Sequence, residues 1–124
     1  SQNYHWNVKG PFFAPLHEMF DAHYTEISAA IYVIAERIRA LGQITPGTFL
    51  EFVKIASVKE ELGVPSADQM LVNVLADHEQ VVRTARSILP AATKVDDQTT
   101  IDMITGRLDF HEKTAWMLRS TLEK

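Results

Sequence analysis

The chain has 124 residues, of which 46% are apolar and 23% charged, with a net charge of −4 and no cysteine. That is enough for one domain over residues 1–124 with a real core, while the lack of cysteine excludes a disulfide framework, a thiolate metal site and thiol chemistry. The negative charge argues against a simple nucleic-acid-binding surface and weakly favours cations; no apolar run reaches membrane-spanning length and no secretory signal opens the chain, so a cytoplasmic protein without a membrane partner is the expectation.

The opening, SQNYHWNVKG, reads as the tail of a helix, with Gly10 as its stop and Pro11 following. It has no matching start, which predicts further residues before Ser1 carrying most of another helix. GPFFAP is a turn, and Pro15 suits the first turn of the long helix after it. From Leu16 to Leu41 there is neither Gly nor Pro, and nearly every residue tolerates a helix. At about 100° per residue, Phe20, Tyr24, Ile27, Ile31, Ile34 and Ile38 share one arc, the expected core face. A second arc carries His17, Asp21, Ser28, Tyr32 and Glu36. The remaining side, with Met19, Ala22, Ala30 and Val33 among Glu26 and Arg37, is not strongly polar either. Such a helix is expected to pack into its own bundle on one face and against another subunit on the next.

Gly42 to Pro65 is a long crossover in which Thr48 to Glu61 forms a short amphipathic helix. Ser66-Ala67-Asp68-Gln69 reads as a capping box. The helix it opens places Leu71, Val74, Leu75, Val81, Val82, Ala85 and Ile88 inward and stops at Leu89-Pro90. Ala91 to Asp97 is a loop. The last helix starts near Asp96 or Asp97, with Ile101, Ile104, Leu108, Ala115, Leu118 and Leu122 on one face. The sum is all-α. One long crossover among four helices is the connectivity of a ferritin-like four-helix bundle, here with the N-terminal part of the first helix missing.

The second arc of the long helix carries the chemistry. His17 and Asp21 are four apart, so their side chains point the same way one turn apart. An imidazole and a carboxylate at that spacing can share one divalent metal ion, although for the pair taken alone an ordinary interface hydrogen bond is the favoured reading. Glu36 lies roughly 22 Å beyond Asp21 along a straight helix, at about 1.5 Å per residue, and cannot reach the same ion within one chain. An antiparallel copy of the helix across a two-fold axis could bring it there. No Glu-x-x-His occurs anywhere, which sets aside the usual di-iron site inside a single bundle.

Three ordered motifs, Tyr4-His5-Trp6-Asn7-Val8-x-Gly10, Leu16-His17-Glu18-Met19-Phe20-Asp21 and Ala35-Glu36-Arg37-Ile38-Arg39-Ala40-Leu41-Gly42, closely resemble the Dps family, the mini-ferritins of starved bacteria. The likeness continues through Asp77-His78-Glu79 and Glu112-Lys113-Thr114-Ala115-Trp116-Met117-Leu118. The resemblance implies a homo-oligomeric shell of twelve four-helix subunits, with ferroxidase sites at the two-fold dimer interface. There His5, His17 and Asp21 of one subunit and Glu36 of the partner subunit bind iron and oxidise Fe(II) to Fe(III) with hydrogen peroxide or oxygen. The ferric mineral is stored inside, which protects against oxidative damage. Trp6, beside a ligand, would be the nearest oxidisable ring. The family also binds DNA, often through N-terminal extensions. The alternative implied is therefore a cage acting mainly in DNA protection, associated with the nucleoid, its iron chemistry weakened. One position departs from the family pattern: Tyr32 stands where the family usually has an Asp, one turn before the glutamate. A phenol ordinarily stays protonated at neutral pH and is then a poor ligand for Fe(II), although tyrosinate binds Fe(III). Asp97 and Asp102 sit where family members often line an iron-entry pore, and helix-start capping suits them equally. His23, His78 and His111 are expected to be surface, packing or hydrogen-bonded residues, and Trp116 a packing residue.

Overall fold

The computed structural model describes residues 1–123 and contains five helices, α1 (Gln2–Asn7), α2 (Phe13–Ala40), α3 (Phe49–Ile55), α4 (Ala67–Lys94) and α5 (Gln98–Leu122). No strand occurs among the described residues, so the fold class is the all-α one that the helical periodicity predicts. The chain falls into two compact units, Ser1–Ala67 and the residues from Asp68 on. No helix is long and apolar enough to cross a membrane among the described residues.

In the first unit α1 lies against the beginning of α2. Tyr4 meets Phe20 edge to face, ring centroids 5.7 Å apart, and Val8 and Leu16 are buried with them. The stop of α1 comes earlier than Gly10: Val8 turns to extended backbone, its N–H still bonded to the Tyr4 carbonyl at 2.9 Å, and buries its side chain. Gly10, at φ 117°, instead opens the turn into α2, where its carbonyl accepts from Phe13 N–H at 3.1 Å. Helix α2 begins at Phe13, ahead of the predicted Leu16. Pro15 then falls among the first N–H groups, which have no partner within a helix in any case. The far end closes in a Schellman motif: Gly42 at φ 89° donates to the Arg39 carbonyl, and Gln43 N–H to that of Ile38.

The core stripe of α2 is turned from the predicted one. Phe20 is fully buried, but Tyr24 and Ile31 are exposed in the single chain, and the half-buried positions beside Ile27 and Ile34 are His23 and Ala30. Apolarity marks both flanks of the stripe and does not say which flank faces the same chain. The crossover runs back along α2. Thr45 Oγ1 donates to the Ala35 carbonyl near one end, and Asn3 Nδ2 approaches the Glu61 carbonyl at 3.5 Å near the other. Its helix α3 spans only Phe49–Ile55, half the predicted stretch, with Thr48 as a true N-cap whose hydroxyl accepts from Glu51 N–H at 3.2 Å.

In the second unit α4 starts directly after Ser66, where the capping box places it. The predicted stop at Leu89-Pro90 is wrong. Helix α4 runs through Pro90 to Lys94, so most of the expected loop is helical. Near the helix end Pro90 forfeits a single bond to the Arg86 carbonyl, and the helix closes in a second Schellman motif. Asp96 at φ 54° donates to Thr93 O, and Asp97 N–H donates to Ala92 O. Asp97 then caps α5, accepting from Thr100 N–H at 3.1 Å and from the Thr100 hydroxyl at 2.5 Å. Asp102 accepts from Gln98 Nε2.

Ala85, Ile104 and Leu108 form a core cluster with Val82, Leu89 and Met103 packed against it. Met70 and Leu118 are buried more deeply still, whereas Ile88 and Trp116, expected inside, are exposed. Across α4 and α5, Arg86 pairs with Glu112, and the buried rings of His78 and His111 meet Nδ1 to Nδ1 at 2.9 Å. Arg107, which can only donate, bonds His111 Nε2 at 2.8 Å. His111 must therefore carry its proton on Nδ1 and donate it toward His78.

These burials set an expectation for stability. Phe20→Ala should cost about 3–5 kcal/mol and Leu118→Ala about 2–5 kcal/mol, read as lowered midpoints in urea unfolding with the slope unchanged.

Candidate metal centre

The junction of α1 and α2 is built around two imidazoles. Their rings stack with centroids 4.0 Å apart and planes 17° from parallel, and Phe13 stacks on the outer face of His17 at 4.9 Å. His5 Nδ1 donates to the backbone carbonyl of His17 at 2.8 Å, and His17 Nδ1 donates to the carbonyl of His5 at 2.7 Å. The His5 carbonyl lies in the last turn of a six-residue helix, where it has no partner within the helix. The His17 ring supplies one. Each residue thus ties down the other's ring and backbone, and α1 is pinned at the end where its own hydrogen bonding runs out.

The reciprocal bonds also decide the proton positions. A carbonyl oxygen only accepts, so Nδ1 of both rings must carry a hydrogen. In the neutral ring the lone pair is then on Nε2, the arrangement found when a backbone carbonyl orients an imidazole for a metal ion. His5 Nε2 faces Asp21 Oδ1 at 3.9 Å. Two acceptors across that gap do not bond each other, and it is too long for a hydrogen bond. It suits two donors on one divalent cation, each typically about 2.0–2.2 Å away. Asp21 is largely exposed, so its carboxylate stays hydrated and accessible, while His5 is half-buried.

The structure stacks His5 on His17, sets His5 Nε2 3.9 Å from Asp21 Oδ1 and leaves Glu36 on the distant half of α2. Among the described residues no three His, Asp or Glu side chains are grouped closely enough to hold a metal ion by themselves. Glu36 is exposed, as is Tyr32 one turn before it. Trp6, next to His5, is exposed as well. The mutual capping of His5 and His17 was not legible in the sequence. A spacing of twelve residues across a turn has no periodic signature, and only the pair His17–Asp21 shows one. His23 differs from this pair: it is half-buried, and burial chiefly holds its pKa below the ordinary value, with Glu26 opposing the shift.

Comparison with known proteins gives a consistent picture. A model of the ferritin-like domain matches residues 2–124. A low temperature-induced protein of Nostoc sp. is 42% identical over 99% of this chain and 70% of its own length. The DNA protection during starvation protein 2 of Bacillus anthracis is 38% identical over 98% of this chain and 84% of that protein. The crystal structure of a Dps protein from Bacillus brevis superimposes with a TM-score of 0.96 at 38% identity, covering 98% of this chain and 82% of that one.

The His23 environment makes a pH prediction. Its folded pKa lies below the unfolded value of 6.5, so as pH falls below that value the unfolded chain takes up a proton before the folded one does. Stability should therefore decline as pH drops through this range and level off once the folded ring is charged. His23→Gln should flatten that decline, measured as urea midpoints about one pH unit either side of the ordinary histidine value.

Proposed function

Because this chain belongs to the Dps family of ferritin-like proteins, we propose that it takes up Fe(II), oxidises it at a site shared between two subunits and stores the ferric product in a hollow homo-oligomer, a dodecamer. The observation that carries this reading is the stacked pair His5 and His17, both with Nδ1 committed to backbone carbonyls, with His5 Nε2 3.9 Å from Asp21 Oδ1. Imidazole suits iron in both oxidation states and a hard carboxylate favours the ferric one. One chain gathers too few donors to hold an ion, and Glu36 of the partner subunit is the acidic group that a two-fold antiparallel arrangement of α2 brings to them. In this reading the two units of the chain form one ferritin-like domain. The exposed Tyr24, Ile31 and Val33 of α2 supply apolar surface for the subunit contact.

Iron is the substrate here. Two Fe(II) ions each give one electron to hydrogen peroxide. Its O–O bond breaks, and with two protons it leaves as two waters, so no hydroxyl radical is released. Dioxygen is the alternative oxidant. His5, His17, Asp21 and Glu36 orient the ions, and the few ligands leave coordination positions for the oxidant. The resulting function is iron storage and protection against oxidative damage in the cytoplasm.

A second reading, DNA protection by the same cage, is favoured by the name of the Bacillus anthracis relative. The chain itself carries a net charge of −4, which does not favour binding to a polyanion. A gel shift with the full-length protein that weakens as salt is raised would add this activity.

Two measurements test the leading reading. With Fe(II) and peroxide, His17→Ala and Glu36→Ala should each slow the rise of ferric absorbance by about 10-fold or more; traces matching wild type would refute it. Subunits of the two variants, denatured together and reassembled, should recover about a quarter of the wild-type sites, because a mixed dimer rebuilds one intact site of its two. No recovery in a correctly assembled mixture would show that the site is not shared.

A further inference from the structure

Tyr32 is the exposed side chain on α2 with the most unused chemistry. Its relative exposure is 74%, and it precedes Glu36 by four residues, so phenol and carboxylate lie on the same helical face one turn apart. Positions on two antiparallel, two-fold-related helices pair symmetrically about the axis. If Glu36 meets the stretch from His17 to Asp21, the axis passes close to the level of Ile27 and Ser28, where the small side chain of Ser28 allows close approach. The same register sets Tyr32 opposite the stretch from Asp21 to Thr25. Whatever brings the carboxylate of Glu36 to the imidazoles therefore brings the phenol of Tyr32 to the Asp21 side of the same site.

We propose that Tyr32 of the partner subunit is a ferric ligand at this site: its phenolate binds the oxidised iron and holds it before transfer to the mineral. The inference rests on the shared-site reading above. A phenol is a weak ligand for Fe(II), so Tyr32 leaves the entering ion to the imidazoles and carboxylates. Once the iron is oxidised, the harder, more highly charged ion favours an anionic oxygen. The phenol O–H bond breaks, its proton passes to water, and an Fe(III)–O bond forms with no change in oxidation state. The residue thus discriminates product from substrate, whereas a carboxylate at the same position would bind both.

The measurement is a visible spectrum of the assembled protein after Fe(II) and peroxide are added at no more than the number of sites. Wild type should develop a phenolate-to-iron charge-transfer band, and resonance Raman excitation within it should show tyrosinate ring modes. Tyr32→Phe should lose the band while still oxidising iron, and Tyr24→Phe, lower on the same helix, should keep it. The Raman measurement on wild type carries the test if Tyr32→Phe fails to assemble. Iron oxidised by wild type without a band, or a band that persists in Tyr32→Phe, overturns the role of Tyr32 and leaves the shared site standing. Failure of wild type to oxidise iron at all overturns both.

Discussion

The reciprocal hydrogen bonds between His5 and His17 are the constraint on which the rest of the first unit depends. Helix α1 spans Gln2–Asn7. It is held by Tyr4 and Val8 packing near Phe20 and Leu16, and by an imidazole from α2 that satisfies one of its last carbonyls. The bond in the other direction fixes the second ring. The same two contacts that dock the helix therefore choose the tautomers, leaving the lone pair of each neutral ring on Nε2.

This economy explains why the pair can tolerate exposure. Asp21 remains in water, and Phe13 covers the outer face of the His17 ring. The rings cannot turn away from the opening without breaking a backbone contact as well. In the proposed iron-handling role, preorganisation of this kind leaves little conformational entropy to be lost when an ion arrives. The crossover adds to it. By running back along α2 from Thr45 at Ala35 to Glu61 near Asn3, it ties the far end of the long helix to the start of α1.

The second unit uses its histidines differently. His78 and His111 are buried and joined to each other, with Arg107 donating from outside. The resulting chain of directed hydrogen bonds ties α4 to α5 at the centre of an otherwise apolar contact, as Arg86 and Glu112 do at its surface. The hydrogen bonding expected of them is present, and their depth was unexpected. A helical sequence does not say how a polar side chain on the inner face will be satisfied, because the partner lies on another helix.

The amino-acid sequence by itself determined the number and order of the helices, the long crossover, and the placing of His17 and Asp21 one turn apart on α2. Those features come from local propensity and the 3.6-residue period. It misplaced the end of α4, because a proline near a helix terminus costs only one bond there and a distant Schellman closure decides where the helix stops. It also could not choose between Tyr24 and Ile31 on one flank of α2 and His23 and Ala30 on the other. Both flanks continue the stripe of Phe20, Ile27 and Ile34, and only packing decides which is covered. The stacking of His5 on His17 was likewise a tertiary decision: twelve residues and a turn separate the rings, and only the docking of α1 onto α2 brings them to 4.0 Å.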